Sequence, residues 1–258
     1  MRKQNNLKRL LRNGQTCIGT WSVIPSPSLV NILGASGFDF VIIDCEHGPA
    51  SLETAEDMVR ALESESCTPL VRVPNVSSSN ILRSLEIGSH GIVVPQIDNQ
   101  NQAKDVIKSS KYSPLGERGM SVFTRSSGYS AIGQKNRTQI ENEETMVILL
   151  IEGKSGIKSL EKICEVEGID VIYIGTYDLS QSLGVSDDVD SPIIINAVEE
   201  CVKIIRDNGK AAGVLAQNQK DVKKWIDIGV QFIPYMVDCG IIYDACSKIV
   251  FDCNKIKN

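Results

Sequence analysis

The stretch Met146-Val-Ile-Leu-Leu-Ile-Glu152 runs through six apolar residues without a break and then ends on a carboxylate. A strand with one wet face alternates apolar and polar residues. An unbroken apolar run instead reads as a strand buried on both faces, as in a parallel sheet covered by helices. Val171-Ile-Tyr-Ile-Gly-Thr-Tyr-Asp178 repeats the pattern, reaching its carboxylate after a glycine turn. Outward from these two, similar runs occur at Cys17–Trp21, Asp39–Asp44, Pro69–Val73, Gly91–Ile97, Ala211–Ala216 and Phe232–Val237. With Thr145–Glu152 and Asp170–Gly175 as the fifth and sixth, eight strands are expected.

Helical patterns lie between them. Ser51-Leu-Glu-Thr54 opens one that runs to Ser64, and Asn218-Gln-Lys-Asp221 opens one that ends at Gly229. After Pro192, an apolar stripe of Ala197, Val198, Cys201, Ile204 and Ile205 stops at Asn208-Gly209. Strand–helix alternation from end to end marks βα units. Eight units in 258 residues match a single TIM (β/α)8 barrel over residues 1–258. An open doubly wound sheet is the alternative, but it would bring fewer strands and a glycine-rich dinucleotide turn that the chain lacks.

Composition narrows the partners. A formal net charge of −5, with 42% hydrophobic and 23% charged residues, suits a soluble globular protein. It argues against nucleic acid or an anionic membrane, which are gripped by clustered Lys and Arg. A small molecule is the expected ligand. No apolar run approaches the ~20 residues of a membrane span, so a cytoplasmic location is expected. Residues 1–14 are basic without the apolar segment of a secretory signal. Leu7, Leu10 and Leu11 predict a short amphipathic helix ending at Asn13-Gly14, with an organellar transit peptide as the alternative. The eight cysteines form no C-x-x-C pair. Reduced thiols are expected, with Cys239, Cys246 and Cys253 packing one face of a helix against a core. Residues 113–144 break the rhythm with glycines, serines and arginines, and are expected to form an insertion over the catalytic mouth.

In a barrel of this kind, side chains at the C-terminal ends of strands build the active site. Those exits carry Asp44, Glu46 and His47, then Arg72, Gln96, Glu152 and Asp178. Glu152 and Asp178 close neighbouring apolar strands, and two buried carboxylates call for a cation, Mg²⁺ or Mn²⁺ being suited to oxygen ligands. The alternatives are Asp178 as a helix N-cap and Glu152 paired to a Lys. His47 is a ready general base, whereas His90 precedes a strand and reads as structural. Asp44 and Glu46 flank Cys45 and are expected to point apart, one to the barrel mouth and the other to a supporting neighbour. Arg72 reads either as an ion-pair partner of those acids or as a clamp for a carboxylate or enolate oxygen.

The combination resembles the HpcH/HpaI aldolase family, metal-dependent class II pyruvate aldolases acting on 2-keto acids. The resemblance rests on Gly19-Thr-Trp21, Gly37-Phe-Asp-Phe-Val-Ile-Ile-Asp-Cys-Glu-His47, Val71-Arg72 and Val93-Val-Pro-Gln96. It continues through Lys111-Tyr-Ser-Pro-Leu-Gly-Glu-Arg-Gly119, Ile151-Glu152 and Ile174-Gly-Thr-Tyr-Asp-Leu-Ser180. It implies Glu152 and Asp178 as ligands of a divalent metal, His47 as base paired with Glu86, and Arg72 on the pyruvate oxygen, with Asp44 in the catalytic set. It further implies substrate contacts from Trp21, Gln96, Thr176, Tyr177 and Leu215, with backbone amides around Tyr177 and Asp178 holding the substrate carboxylate. The reaction implied is aldol cleavage or condensation of a 4-hydroxy-2-oxo acid, giving pyruvate or a related 2-keto acid and an aldehyde. The family also implies a homo-oligomer, a hexamer or trimer of dimers, with swapped C-terminal helices. Leu150 departs from the family's glutamine and Tyr177 from its alanine. These departures keep two alternatives in view: a siderophore-type citrate synthase joining acetyl-CoA and oxaloacetate, and a keto-acid-binding barrel without turnover.

Overall fold

The computed structural model describes residues 4–130, 132, 135–186 and 188–257. The strands are β1 (Cys17–Ser22), β2 (Phe40–Asp44), β3 (Thr68–Arg72), β4 (Gly91–Val94), β5 (Met146–Ile151), β6 (Val171–Ile174), β7 (Ala211–Val214) and β8 (Phe232–Val237). They pair in parallel, each with the next and β8 with β1, as a closed barrel. The helices are α1 (Asn6–Arg12), α2 (Pro27–Ala35), α3 (Leu52–Ser64), α4 (Ser78–Glu86), α5 (Gln100–Ser110) and α6 (Arg137–Glu144). They continue with α7 (Lys154–Lys158), α8 (Leu160–Cys164), α9 (Thr176–Leu183), α10 (Pro192–Asp207), α11 (Gln219–Asp227) and α12 (Asp238–Lys257). Among the described residues no helix is long and apolar enough to cross a membrane.

The start signals act as expected. The Ser51 hydroxyl accepts the Thr54 N–H at 3.1 Å to cap α3, and the Asn218 side chain accepts from Lys220 and Asp221 to cap α11. Alternate strand residues fill the barrel interior, where Phe40 and Phe232 stack at 4.1 Å and Trp21 meets Tyr173 edge-on at 5.9 Å. The other strand faces pack against the helices, so strands such as β2 and β5 are buried throughout.

One end of the barrel is stoppered. α1 inserts Leu7 and Leu11 among Cys17, Phe40, Met146 and Phe232. Its Lys8 donates to the Thr145 carbonyl at 3.0 Å and pairs with Asp170 at 3.0 Å. The helix stops at Asn13 and Gly14, the latter at φ +79°. His90 lies at this same end, 3.0 Å from Glu63, in the structural position expected of it.

The expected lid over the mouth is found elsewhere. Residues 111–130 follow α5, which has already carried the chain back from the mouth, and they pack against the stoppered end; of the insertion expected over 113–144, residues 131, 133 and 134 lie outside the described residues. Lys111 donates to the carbonyls of Asn142 and Thr145, and Arg125 pairs with Glu63 near the C-terminus of α3. Arg118 lies over the Tyr112 ring at 4.8 Å and pairs with Glu86 at 2.7 Å. The motif around Lys111–Gly119 therefore holds this chain's floor together.

α12 also departs from expectation. Only Asp238 is buried, and Cys239, Cys246 and Cys253 are exposed. Helical spacing aligned these thiols, but α12 stands clear of the barrel core. Asp238 anchors its start, accepting from the Ser22 hydroxyl at 2.8 Å and from the amides of Val23 and Ile24 at 3.1 Å.

Candidate active site

At the open end, the strand exits converge on a cavity of about 210 Å³. Its lining includes Trp21, Asp44, His47, Arg72, Glu152, Thr176, Tyr177, Asp178 and Leu215. Nine of the expected residues thus meet in one place.

Asp44, the last residue of β2, organises the near wall. Its Oδ1 accepts the Arg72 Nε–H at 2.9 Å and the backbone N–H groups of Glu46 and His47 at 3.0 and 3.1 Å, while Oδ2 takes Arg72 Nη2. Burial works to raise its pKa, but the Arg72 hydrogen bonds and charge, with the two amides, hold Asp44 below the usual range. The turn after it needs glycine, because a Cβ at Gly48 would lie 2.3 Å from the Asp44 carbonyl oxygen.

Glu46 does not point away from Asp44: residues two apart on an extended chain share a side, and just past the end of β2 Glu46 reaches Arg72 Nη1 at 3.1 Å. Burial raises its pKa, with Asp44 and Asp178 adding to the rise and Arg72 and His47 opposing it. Arg72 is therefore held by two acids, and its guanidinium stacks on the Trp21 ring at 4.5 Å. The ion-pair reading is realised, and the cation still lines the cavity.

Glu152, half-buried, and Asp178, exposed rather than buried as expected, line the same cavity. Burial first, then the hydrogen bond that its protonated form shares with Asp178 and the Asp178 charge, push the Glu152 carboxyl well above the usual carboxylate range, against a Gln96 N–H bond of 3.2 Å. Two acidic groups forced together in this way fit a hard divalent cation, since oxygens are its preferred ligands. Among the described residues no three His, Cys, Asp or Glu side chains gather as a cage, so a cation here would complete its shell from water and substrate oxygens. A Cβ at Gly175 would come within 2.9 Å of Glu152 Cγ, and glycine leaves that carboxylate its place. Gly175 also caps α9 without a side-chain hydrogen bond, leaving first-turn amides open to an anion.

Two expected residues lie elsewhere. Glu86 ends α4 on the stoppered end of the barrel, ion-paired to Arg118, and no hydrogen bond joins it to His47 among the described residues. A helix that follows a barrel strand runs back from the mouth, so its last residue cannot share a site with a strand exit of the same chain. Gln96 is exposed at φ +57° and contributes its amide to Glu152, not a side chain to the cavity. Conversely, Val23, Leu150, Tyr173, Gly175 and Val237 complete the lining. Val237 ends β8, so the strand-exit rule pointed to it; Val23, one residue past β1, carried no such signal.

The HpcH/HpaI aldolase/citrate lyase family model matches residues 17–245. The chain is 32% identical over 246 residues to the hydroxypyruvate/pyruvate aldolase of Roseobacter denitrificans, covering 95% of each. It is 32% identical over 245 residues to the 2-keto-3-deoxy-L-rhamnonate aldolase of Klebsiella pneumoniae, covering 95% of this chain and 91% of that one. Among solved structures, citrate synthase SbnG superposes with a TM-score of 0.89 at 31% identity, covering 98% of this chain and 99% of that one.

Proposed function

The chain belongs to the HpcH/HpaI aldolase/citrate lyase family, and from that premise we propose that it is a divalent-metal-dependent aldolase, a carbon–carbon lyase, acting on a 4-hydroxy-2-oxo acid. The carrying observation is the interacting pair Glu152 and Asp178, which line one cavity with Arg72. In the condensation direction a C3–H bond of pyruvate breaks and its proton leaves to water. A bond then forms between C3 and the aldehyde carbon, and the aldehyde oxygen takes up a proton to become the 4-hydroxyl.

Glu152 and Asp178 would hold Mg²⁺ or Mn²⁺, which supplies Lewis-acid polarisation of the 2-keto group. The first-turn amides of α9, around Thr176 to Asp178, receive the substrate carboxylate. Arg72 presents fixed positive charge where the enolate oxygen develops, already oriented by Asp44 and Glu46. His47 stands exposed at the rim, where through a water it can exchange the proton of the 4-hydroxyl. Asp44 positions both, through its bonds to Arg72 and to the His47 amide. Glu86 is left out of the proton path within one chain.

We infer a homo-oligomer, of the hexameric kind the family resemblance implies. In support, α12 exposes Tyr243, Ile249, Phe251 and Ile256 along its length.

A second reading is supported by the likeness to citrate synthase SbnG across nearly the whole chain. Under it, the site joins acetyl-CoA to oxaloacetate and releases free CoA thiol. The test is exchange of the pyruvate methyl protons in D₂O, expected to need Mg²⁺ or Mn²⁺ and to vanish in Glu152→Ala. Exchange that persists in EDTA sinks the aldolase mechanism, and CoA release without exchange favours the second reading.

A further inference from the structure

The cavity divides by chemistry into two halves. One half gathers Arg72, Glu152, Asp178 and the α9 amides, which the keto-acid donor occupies in the reading above. The lining left for the second substrate is largely apolar and includes Val23, Leu150, Tyr177, Leu215 and Val237. Arg72 is the only permanent cation among the described residues of the lining, and Asp44 and Glu46 already engage it. A carboxylate at the far end of an acceptor would therefore enter a site rich in acids with no cation free to pair with it.

Resting on that aldolase reading, we propose that the acceptor half takes a short aldehyde whose far end is apolar and uncharged, and that Tyr177 determines this specificity. Tyr177 lies in the first turn of α9 directly before Asp178 and stands 50% exposed at the rim. Its ring can cover the acceptor chain while its backbone serves the donor. The cavity of about 210 Å³ is smaller than the roughly 300–1,000 Å³ of sites for drug-sized ligands. A short chain fits it.

The test uses the full chain loaded with Mn²⁺, pyruvate as donor, and two four-carbon acceptors, butanal and succinic semialdehyde, that differ in the distal carboxylate. The expected kcat/KM ratio favours butanal by about a hundredfold, the scale on which pocket contacts discriminate. Tyr177→Ala is expected to lower that ratio about tenfold, and Leu215→Arg to shift it toward succinic semialdehyde. Each ratio is taken within one variant, so an overall loss of rate does not obscure it. A wild-type preference for succinic semialdehyde, or a ratio unmoved by Tyr177→Ala, overturns the proposal. Loss of pyruvate proton exchange in the wild type overturns the aldolase reading beneath it, whereas intact exchange with a reversed ratio overturns this proposal alone.

Discussion

Asp44 accepts three N–H groups on one oxygen and Arg72 Nη2 on the other, so a single side chain fixes both the guanidinium and the turn that carries His47. Asn in its place keeps the shape but loses the charge and half of the accepting capacity. Asp44→Asn is expected to destabilise the protein by about 3 kcal/mol, because it leaves a buried cation short of a partner. It should also slow pyruvate proton exchange. Denaturant midpoints and exchange rates check both, and a variant unchanged in each would refute the positioning role. Much at this scale was legible in the sequence: Asp44, Arg72, Glu152 and Asp178 all follow from asking which polar side chains end apolar strands. Glu46 was misread because it was set opposite Asp44, whereas residues two apart on an extended chain share a side.

At the scale of elements, α1 closes the barrel floor with fully buried Leu7. Leu7→Ala is expected to cost about 3 kcal/mol, as large-to-small changes in packed cores do. An unchanged thermal midpoint would mean that α1 docks only loosely. The same floor carries a charge network. Burial tends to raise Glu63, but hydrogen bonds and charge from His90 and Arg125 outweigh it and bring its pKa from 4.5 down to about 2. A carboxyl depressed in the folded state contributes stability that is present above pH 4.5 and is lost as pH falls from there through about 2. Glu63→Gln should therefore flatten the stability–pH curve across that window. Urea titrations at stepped pH would show it, and a curve as steep as the wild type's would rule the network out as its source. Elements were legible in order and type, since periodicity and caps are local properties. The destination of residues 111–130 was not, because it depends on which end of the barrel α5 reaches before releasing the chain.

For the whole molecule, α12 is the element that the barrel does not explain. Phe251 is 60% exposed and Tyr243 72% exposed. Phe251→Asp is expected to shift the protein to smaller assemblies in light scattering while leaving the barrel folded by circular dichroism. An unaltered mass would place the subunit interface elsewhere. By itself the sequence determined the eight-stranded barrel, the strand exits and the acidic pair, because burial on both faces and the carboxylates that interrupt it are written in local pattern. Only the tertiary structure decided that Glu46 joins Asp44 on Arg72, that Glu86 and the 111–130 segment belong to the stoppered end, and that the α12 cysteines face outward. Those outcomes depend on which way a chain turns after an element ends and on what stands opposite it. They are set by contacts between residues far apart along the chain, and a single linear pattern does not encode them.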